Sequence, residues 1–365
     1  MSGQAILLMG IAVNSVTLGS TLLAGLTFAA ALGGPVLGAW LDRSRHPGKV
    51  LAAAIIVYAS GIAVIAATLG RVPVWTSVAL ALSAGLCMPA ISGGWSSRLK
   101  SFITDEHMTR ASAIDATTFN VAGLAGPALA GLIAAWMNAG WAVTVLVFLL
   151  IAAVPMAWKL PKHTNGSPLS ISFAQTIRAG FRVIFTKRPL LRITLVSVIS
   201  YLGIGMLWVI APLVGHRLFG NAGYGGVLMS VLSVSALMAT IAYAKWPTRH
   251  SPDRIAFATT ILLGLAMLVL VFANNAVLAI IAMLVAGLAD GPQLAAIFAV
   301  RHREAPEHAR SQVFTTGASL KITAAAIGAA LAGSIGSYSL EWTIAIACIV
   351  QFGAALLFIA LSRRP

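Results

Sequence analysis

Eleven stretches of this chain are apolar over the length a helix needs to cross a membrane, and little separates them. They span residues 21–41, 50–69, 74–96, 113–137, 141–158, 193–214, 223–244, 255–273, 276–300, 312–337 and 342–361. A hydrocarbon core of about 30 Å takes roughly 20 residues of helix. An earlier apolar run, 5–19, falls short of that length. Composition agrees: 59% of the 365 residues are hydrophobic and 9% charged, with a mean hydropathy of +0.93, whereas soluble domains carry about 25% charged residues. The fold class expected is an all-α membrane protein, in contact with a lipid bilayer.

A net charge of +15 raises nucleic acid as a partner, and the placement of the basic residues excludes it. They are scattered in loop-sized groups rather than gathered on one face. Connectors alternate between short, weakly charged turns and longer basic ones. Placing the basic turns on one side collects all Lys and Arg except Arg71, Arg217 and Lys321. Excess Lys and Arg in short loops marks the cytoplasmic side. The charge is thereby a topology signal, with both termini cytoplasmic and an even number of spans. No basic n-region precedes the first apolar stretch, so no cleavable signal peptide is expected. Cys87 and Cys348 lie inside apolar runs and give neither a disulfide nor a metal framework.

The densest polar hinge lies between the first two full-length spans, where Gly38 is followed by Asp42, Arg43, Arg45 and Lys49. Asp42 is the odd residue in a basic turn. The stretch resembles the Gly-x-x-x-Asp-Arg loop signature of the major facilitator superfamily, with His46-Pro47 in place of the usual tight turn. The resemblance implies a gating loop: Asp42 would face helix N-terminal amides of the eleventh helix, and Arg43 and Lys49 would help hold the inward gate closed. Asp115 would serve the equivalent contact against the loop at 245–254. It further implies a secondary transporter working by alternating access, and Asn14, Tyr201 and Trp208 fall mid-span in helices that line the central cavity of such proteins.

An internal repeat divides the chain in two. Ala84-Gly85-Leu86 recurs as Ala286-Gly287-Leu288, and Ala128 to Gly131 recurs as Ala330 to Gly333, both at an offset of 202 with Gly126 and Gly328 in register. Two parallel six-helix bundles follow, about 12 spans in all, with boundaries expected at 1–158 and 192–365. The connector 159–191 carries Pro161, Asn165-Gly166 and Pro168 as breakers. Phe173, Ile177, Phe181, Ile184 and Phe185 then recur at helical spacing beside Arg178 and Arg182, which reads as an amphipathic helix on the membrane face. The offset would start the seventh span's counterpart before Met1, so the first helix is expected to be truncated, with a short, tilted helix as the alternative.

Nine acidic residues are present, and Asp290 alone falls deep in a span. It lies 11 residues before Arg301, about 16 Å along a helix. Lys321 lies equally far beyond Arg310 on the next span. An isolated charge at that depth is costly, and intramembrane ionisable groups mark ion and substrate paths. Asp290 is read as a proton or cation site with Lys321 as counter-ion or substrate anion site, against the plain alternative of a structural ion pair. Gln293 shares the face of Asp290 one turn on. Gly291-Pro292 matches Pro89-Ala90 in the other half, and interrupted helices at matching positions point to a central site. On the fifth span Gly123, Pro127 and Gly131 are spaced four apart with Gly126 adjacent, as in close helix packing. Gly126-Pro127 also resembles the signature of the drug-exporting branch.

No nucleotide loop, metal-ligand spacing or nucleophile motif is present, so neither an enzyme nor a cofactor is expected. The reading is a monomeric carrier in a bacterial inner membrane, exporting a small, partly apolar substrate in exchange for protons. Proton-coupled uptake and an inactive carrier acting as receptor or scaffold are the alternatives.

Overall fold

The structure is a computed structural model and describes residues 2–13, 15–161, 172–221, 223–246 and 250–362. Asn14 as a cavity residue, Lys162, Arg249, Arg363 and Arg364 as topology charges, and Asn165, Gly166 and Pro168 as linker breakers lie outside the described residues.

Among the described residues every regular element is helical. The order is α1 (Ser2–Ala12), α2 (Val16–Arg43), α3 (Pro47–Thr68), α4 (Val74–Gly85), α5 (Trp95–Ser97), α6 (Met108–Trp136), α7 (Ala139–Trp158), α8 (Phe173–Thr186), α9 (Arg188–Phe219), α10 (Tyr224–Lys245), α11 (Pro252–Val271), α12 (Ala276–Glu304), α13 (Arg310–Gly336) and α14 (Leu340–Ser362). Among the described residues eleven helical stretches are long and apolar enough to cross a membrane. They extend the apolar windows at their polar ends, where capping residues set the limits. Ser15 Oγ accepts from Leu18 N at 3.2 Å to start α2, and Asn138 Oδ1 accepts from Trp141 N at 3.1 Å to start α7, each satisfying an orphan amide of a first turn. Pro47 and Pro252 open α3 and α11, where a missing N–H costs nothing. Gly220, at φ +70°, ends α9, a conformation that glycine adopts without a Cβ clash.

The chain forms two compact units. The first comprises Met1–Ser101, Ala125–Val183 and Ala305–Thr323. Its core is built from Leu22, Leu26, Leu51, Ile55, Ile62 and Leu146. Here α2 and α4 approach to backbone distance: a Cβ on Gly33 would lie 2.0 Å from the Leu86 carbonyl oxygen, and one on Gly85 would lie 2.2 Å from that of Leu26. The second unit comprises Phe102–Leu124, Ile184–Glu304 and Ala324–Pro365, with a core of Leu207, Ile210, Leu263, Met267, Met283 and Ile344. There α9 and α13 meet reciprocally, Gly205 against the Ala325 carbonyl and Gly328 against that of Leu202, both 2.0 Å from a hypothetical Cβ. Small residues that let backbones touch are the usual currency of helix association in lipid, where apolar side chains gain little by leaving the acyl chains.

The matching interruptions expected at Pro89 and Pro292 are not matched. After α4 the chain passes through a π-helical turn at Ala90–Gly94, which seats Gly93 against the Phe314 carbonyl. By contrast α12 runs unbroken through Pro292. A proline removes one ladder bond, and in a packed bundle neighbouring groups let the helix continue.

Candidate functional site

At its last turn α2 presents Asp42 to the first turn of α13. Asp42 Oδ1 accepts from Ser311 N at 2.8 Å and Oδ2 from Gln312 N at 2.9 Å. A helix leaves its first amides unpaired and carries partial positive charge there, so a carboxylate from a second helix acts as an external cap. Such charge-assisted bonds are roughly twice as strong as neutral ones. Arg98, on the 28-residue span that contains α4, adds an attractive charge to Asp42.

Above the clamp, α2 and α13 run together with only small hydroxyl side chains of α13 between them. Ala30, Gly34, Gly38 and Asp42 repeat every four residues along α2, and Ser311, Thr315 and Ser319 do so along α13. Thr315 Oγ1 donates to the Gly34 carbonyl at 2.7 Å, and Ser319 Oγ to that of Ala30 at 2.6 Å. A Cβ on Gly34 would lie 2.1 Å from Ser319 Oγ, and one on Gly38 2.1 Å from Thr315 Oγ1 and 2.6 Å from Gln312 Cα. Ser97 Oγ joins from the neighbouring span, donating to Ser311 Oγ at 3.2 Å. Sequence reasoning singled out Gly38 and Asp42 and missed the hydroxyl ladder that receives them; the four-residue spacing of Ser311, Thr315 and Ser319 was the available signal.

The linker helix α8 docks on the same place. Arg43 Nη1 donates to Thr176 Oγ1 at 2.9 Å, and Gln312 Nε2 donates to the Ile177 carbonyl at 2.7 Å. Gly180 packs against the Gln312 amide. Lys49 Nζ sits 5.6 Å from the centre of the Trp158 ring, within cation–π range, so in this structure it pairs with the end of α7. Asp115 is buried on α6 in the second unit. Residues 247–249 of its expected partner loop lie outside the described residues.

Asp290 is half-buried on α12. Beside it Gly291 lies against α10, where a Cβ would come within 2.2 Å of Thr240 Oγ1. That hydroxyl also accepts from Asn120 Nδ2 of α6 at 2.8 Å, so three helices meet at the residue that follows Asp290. Tyr201 on α9 is in electrostatic reach of both Asp290 and Arg301, and Trp208, seven residues on, is 51% exposed. Gln293 is fully buried and its amide is taken up inside the unit: Oε1 accepts from Ser200 Oγ at 3.2 Å and Nε2 donates to Thr260 Oγ1 at 2.8 Å. Gln351 extends this bracket by donating to the Ser200 carbonyl at 2.9 Å. Lys321 belongs to the first unit, buried on α13 two residues beyond Ser319.

The glycines of α6 differ from expectation. Gly126 is buried and Pro127 exposed. A Cβ on Gly123 or Gly131 would meet nothing within 4 Å, so the close approach expected there is absent among the described residues. Their face of α6 points outward, in a span with only 6% of its apolar window buried.

Comparison with known proteins fits this geometry. Residues 8–364 match the family described as transmembrane secretion effector. No match was found among curated protein sequences. Among solved structures the chain resembles the human organic anion transporter MFSD10 (TETRAN), with a TM-score of 0.76 at 15% identity over 98% of this chain and 89% of that one. It also resembles the proton:xylose symporter XylE of the major facilitator superfamily, at 0.74 and 12% over 98% and 92%. The third is the major facilitator transporter FucP of E. coli in its outward conformation, at 0.70 and 13% over 100% and 98%. With eleven apolar spans, this fold and a match over nearly its whole length, the chain belongs to the transmembrane secretion effector family of the major facilitator superfamily of membrane transporters.

Proposed function

We propose that the protein exports a small, partly apolar molecule across a bacterial inner membrane in exchange for protons, by alternating access. The observation that carries the reading is the clamp of Asp42 on the first turn of α13, continued by the ladder from Gly38 to Ala30. A seam held by a few directional polar bonds, each worth about 1–3 kcal/mol net, can be made and broken within a transport cycle. Interlocked large side chains would resist sliding apart. In this reading the halves 1–158 and 192–365, joined by 159–191, rock against one another, and Asp42, Arg43 and Lys49 govern one closed state.

In this reading the basic loops, the clamp and both termini face the cytoplasm, as excess Lys and Arg in short loops would favour. Asp290 takes up the coupling proton, Lys321 balances charge or meets an anionic group of the substrate, and Tyr201 and Trp208, two turns apart on one face of α9, line the path. Gln293 holds α9, α11 and α12 in register around them. The family description as a secretion effector supports export over uptake. The fold itself serves an organic anion carrier and sugar symporters alike, so it leaves the substrate open.

The test is transport by the purified full-length protein in vesicles with an imposed pH gradient, using an apolar organic anion and an apolar organic cation as fluorescent probes. Gradient-driven extrusion of either probe is expected in the wild type and its loss in Asp290→Asn. Accumulation instead of extrusion would reverse the direction assigned. Full pH-dependent transport by Asp290→Asn would remove the proton role from that residue.

A further inference from the structure

Between the first turns of α6 and the last turns of α10, helices that are joined by the Asn120–Thr240 hydrogen bond, lies a cleft of about 220 Å³ lined by Arg110, Ile114, Thr117, Ile241, Ala244 and Lys245. Its walls are apolar, and its lip is formed by two cations. Arg110, Ile114 and Thr117 fall on one stripe of α6, at i, i+4 and i+7, and Ile241, Ala244 and Lys245 on one stripe of α10. Asp115 lies about 140° round the helix from Arg110 and does not share the stripe.

The cleft opens sideways. Ile114 is 52% and Ile241 43% exposed, on helices that both belong to membrane-crossing stretches. Lys245 is the last residue of α10 and Arg110 the third of α6, the level at which a span leaves the hydrocarbon. Lys245 Nζ also stands 4.9 Å from the ring centre of Trp246, itself 66% exposed, and aromatic residues gather at that interface. A mostly apolar slot, capped by two positive charges at headgroup depth, has the complementarity of an anionic phospholipid. Basic pockets between transmembrane helices are a known form of such recognition.

We propose that the α6–α10 cleft binds one anionic phospholipid, its phosphate held between Arg110 and Lys245 and one acyl chain lying along Ile114, Thr117 and Ile241. Each cation near a headgroup contributes about fivefold in affinity. Occupancy fills the space between α6 and α10 beside the contact that Asn120 and Thr240 make, so the lipid acts as a wedge that sets the spacing of those two helices.

The test is native mass spectrometry of the full-length protein titrated with phosphatidylglycerol and with phosphatidylcholine. One phosphatidylglycerol is expected to be held in preference to phosphatidylcholine. Arg110→Ala/Lys245→Ala should weaken it roughly 30-fold, and Arg110→Lys/Lys245→Arg should retain it. Ile114→Trp keeps both cations and fills the slot, and should also lose the lipid. Equal retention of the two lipids, or undiminished phosphatidylglycerol binding in the double alanine variant, would overturn the proposal. So would displacement by millimolar inorganic phosphate, which would mark a free anion site. Thermal unfolding of each variant separates loss of binding from loss of fold.

Discussion

Replacing Gly38 by alanine asks whether the seam between α2 and α13 is a gate. The added Cβ would lie 2.1 Å from Thr315 Oγ1 and 2.6 Å from Gln312 Cα. The hydroxyl can rotate away, at the expense of its bond to the Gly34 carbonyl. The Gln312 Cα is backbone and cannot, so the helices must part by about 0.8 Å to reach the 3.4 Å of ordinary contact. Taken up in full at the clamp, that displacement would carry the Asp42 bonds, now 2.8 and 2.9 Å, beyond bonding range. Overpacking of this kind costs about 1–3 kcal/mol. Taking ~2 kcal/mol, the ratio of closed to open seam falls about 30-fold. The assay is the labelling rate of Ser319→Cys, a position fully buried in the seam, by a thiol reagent after Cys87 and Cys348 are replaced by alanine. Gly38→Ala should speed labelling about 30-fold where labelling follows the open population. Gly131→Ala, the same change at a glycine whose Cβ would meet nothing within 4 Å, should leave the rate unchanged. Equal rates in the wild type and Gly38→Ala would refute the reasoning.

Gln293→Leu strips hydrogen-bond partners from Ser200 and Thr260 in a fully buried site. It should destabilise the protein by about 2–3 kcal/mol, read as a lower thermal midpoint; an unchanged midpoint would show that the bracket carries no stability. Arg43→Ala removes the bond to Thr176 and loosens α8. Its amides should exchange with deuterium several-fold faster at positions 176–183, while those of α7 keep their protection.

The spans were legible because their signal is additive: twenty apolar residues in succession admit few other folds. The linker helix α8 was legible for a related reason, since its apolar positions repeat at helical spacing beside Arg178 and Arg182. Asp42 stood out as an acid in a basic turn. Its receptors did not, because Ser311, Thr315 and Ser319 are small, common residues whose meaning depends on which helix lies opposite. The same limit explains Gly123 and Gly131. A four-residue glycine spacing marks a face on which another helix can pack, and among the described residues no such neighbour lies against them. At Pro292 a local rule was overridden by packing, for α12 is held between α10 and α11 and continues where an isolated helix would break. Gln293 was legible as polar and buried, but its bonding to Ser200 and Thr260 depends on helix rotations that periodicity leaves open.

The central claim is that Asp42 closes a gate by capping α13. The most direct measurement is the distance distribution between spin labels at Arg45→Cys and His308→Cys, both exposed beside the clamp, in lipid nanodiscs and in the background lacking the native cysteines. Asp42→Asn keeps the shape but loses the charge and one of two acceptors, a change of about 1.5–3 kcal/mol and so roughly 10- to 150-fold in the closed-to-open ratio. The account predicts a short-distance population that dominates with Asp42 and yields to a longer one in Asp42→Asn. A single distribution, identical with and without the carboxylate, would contradict it.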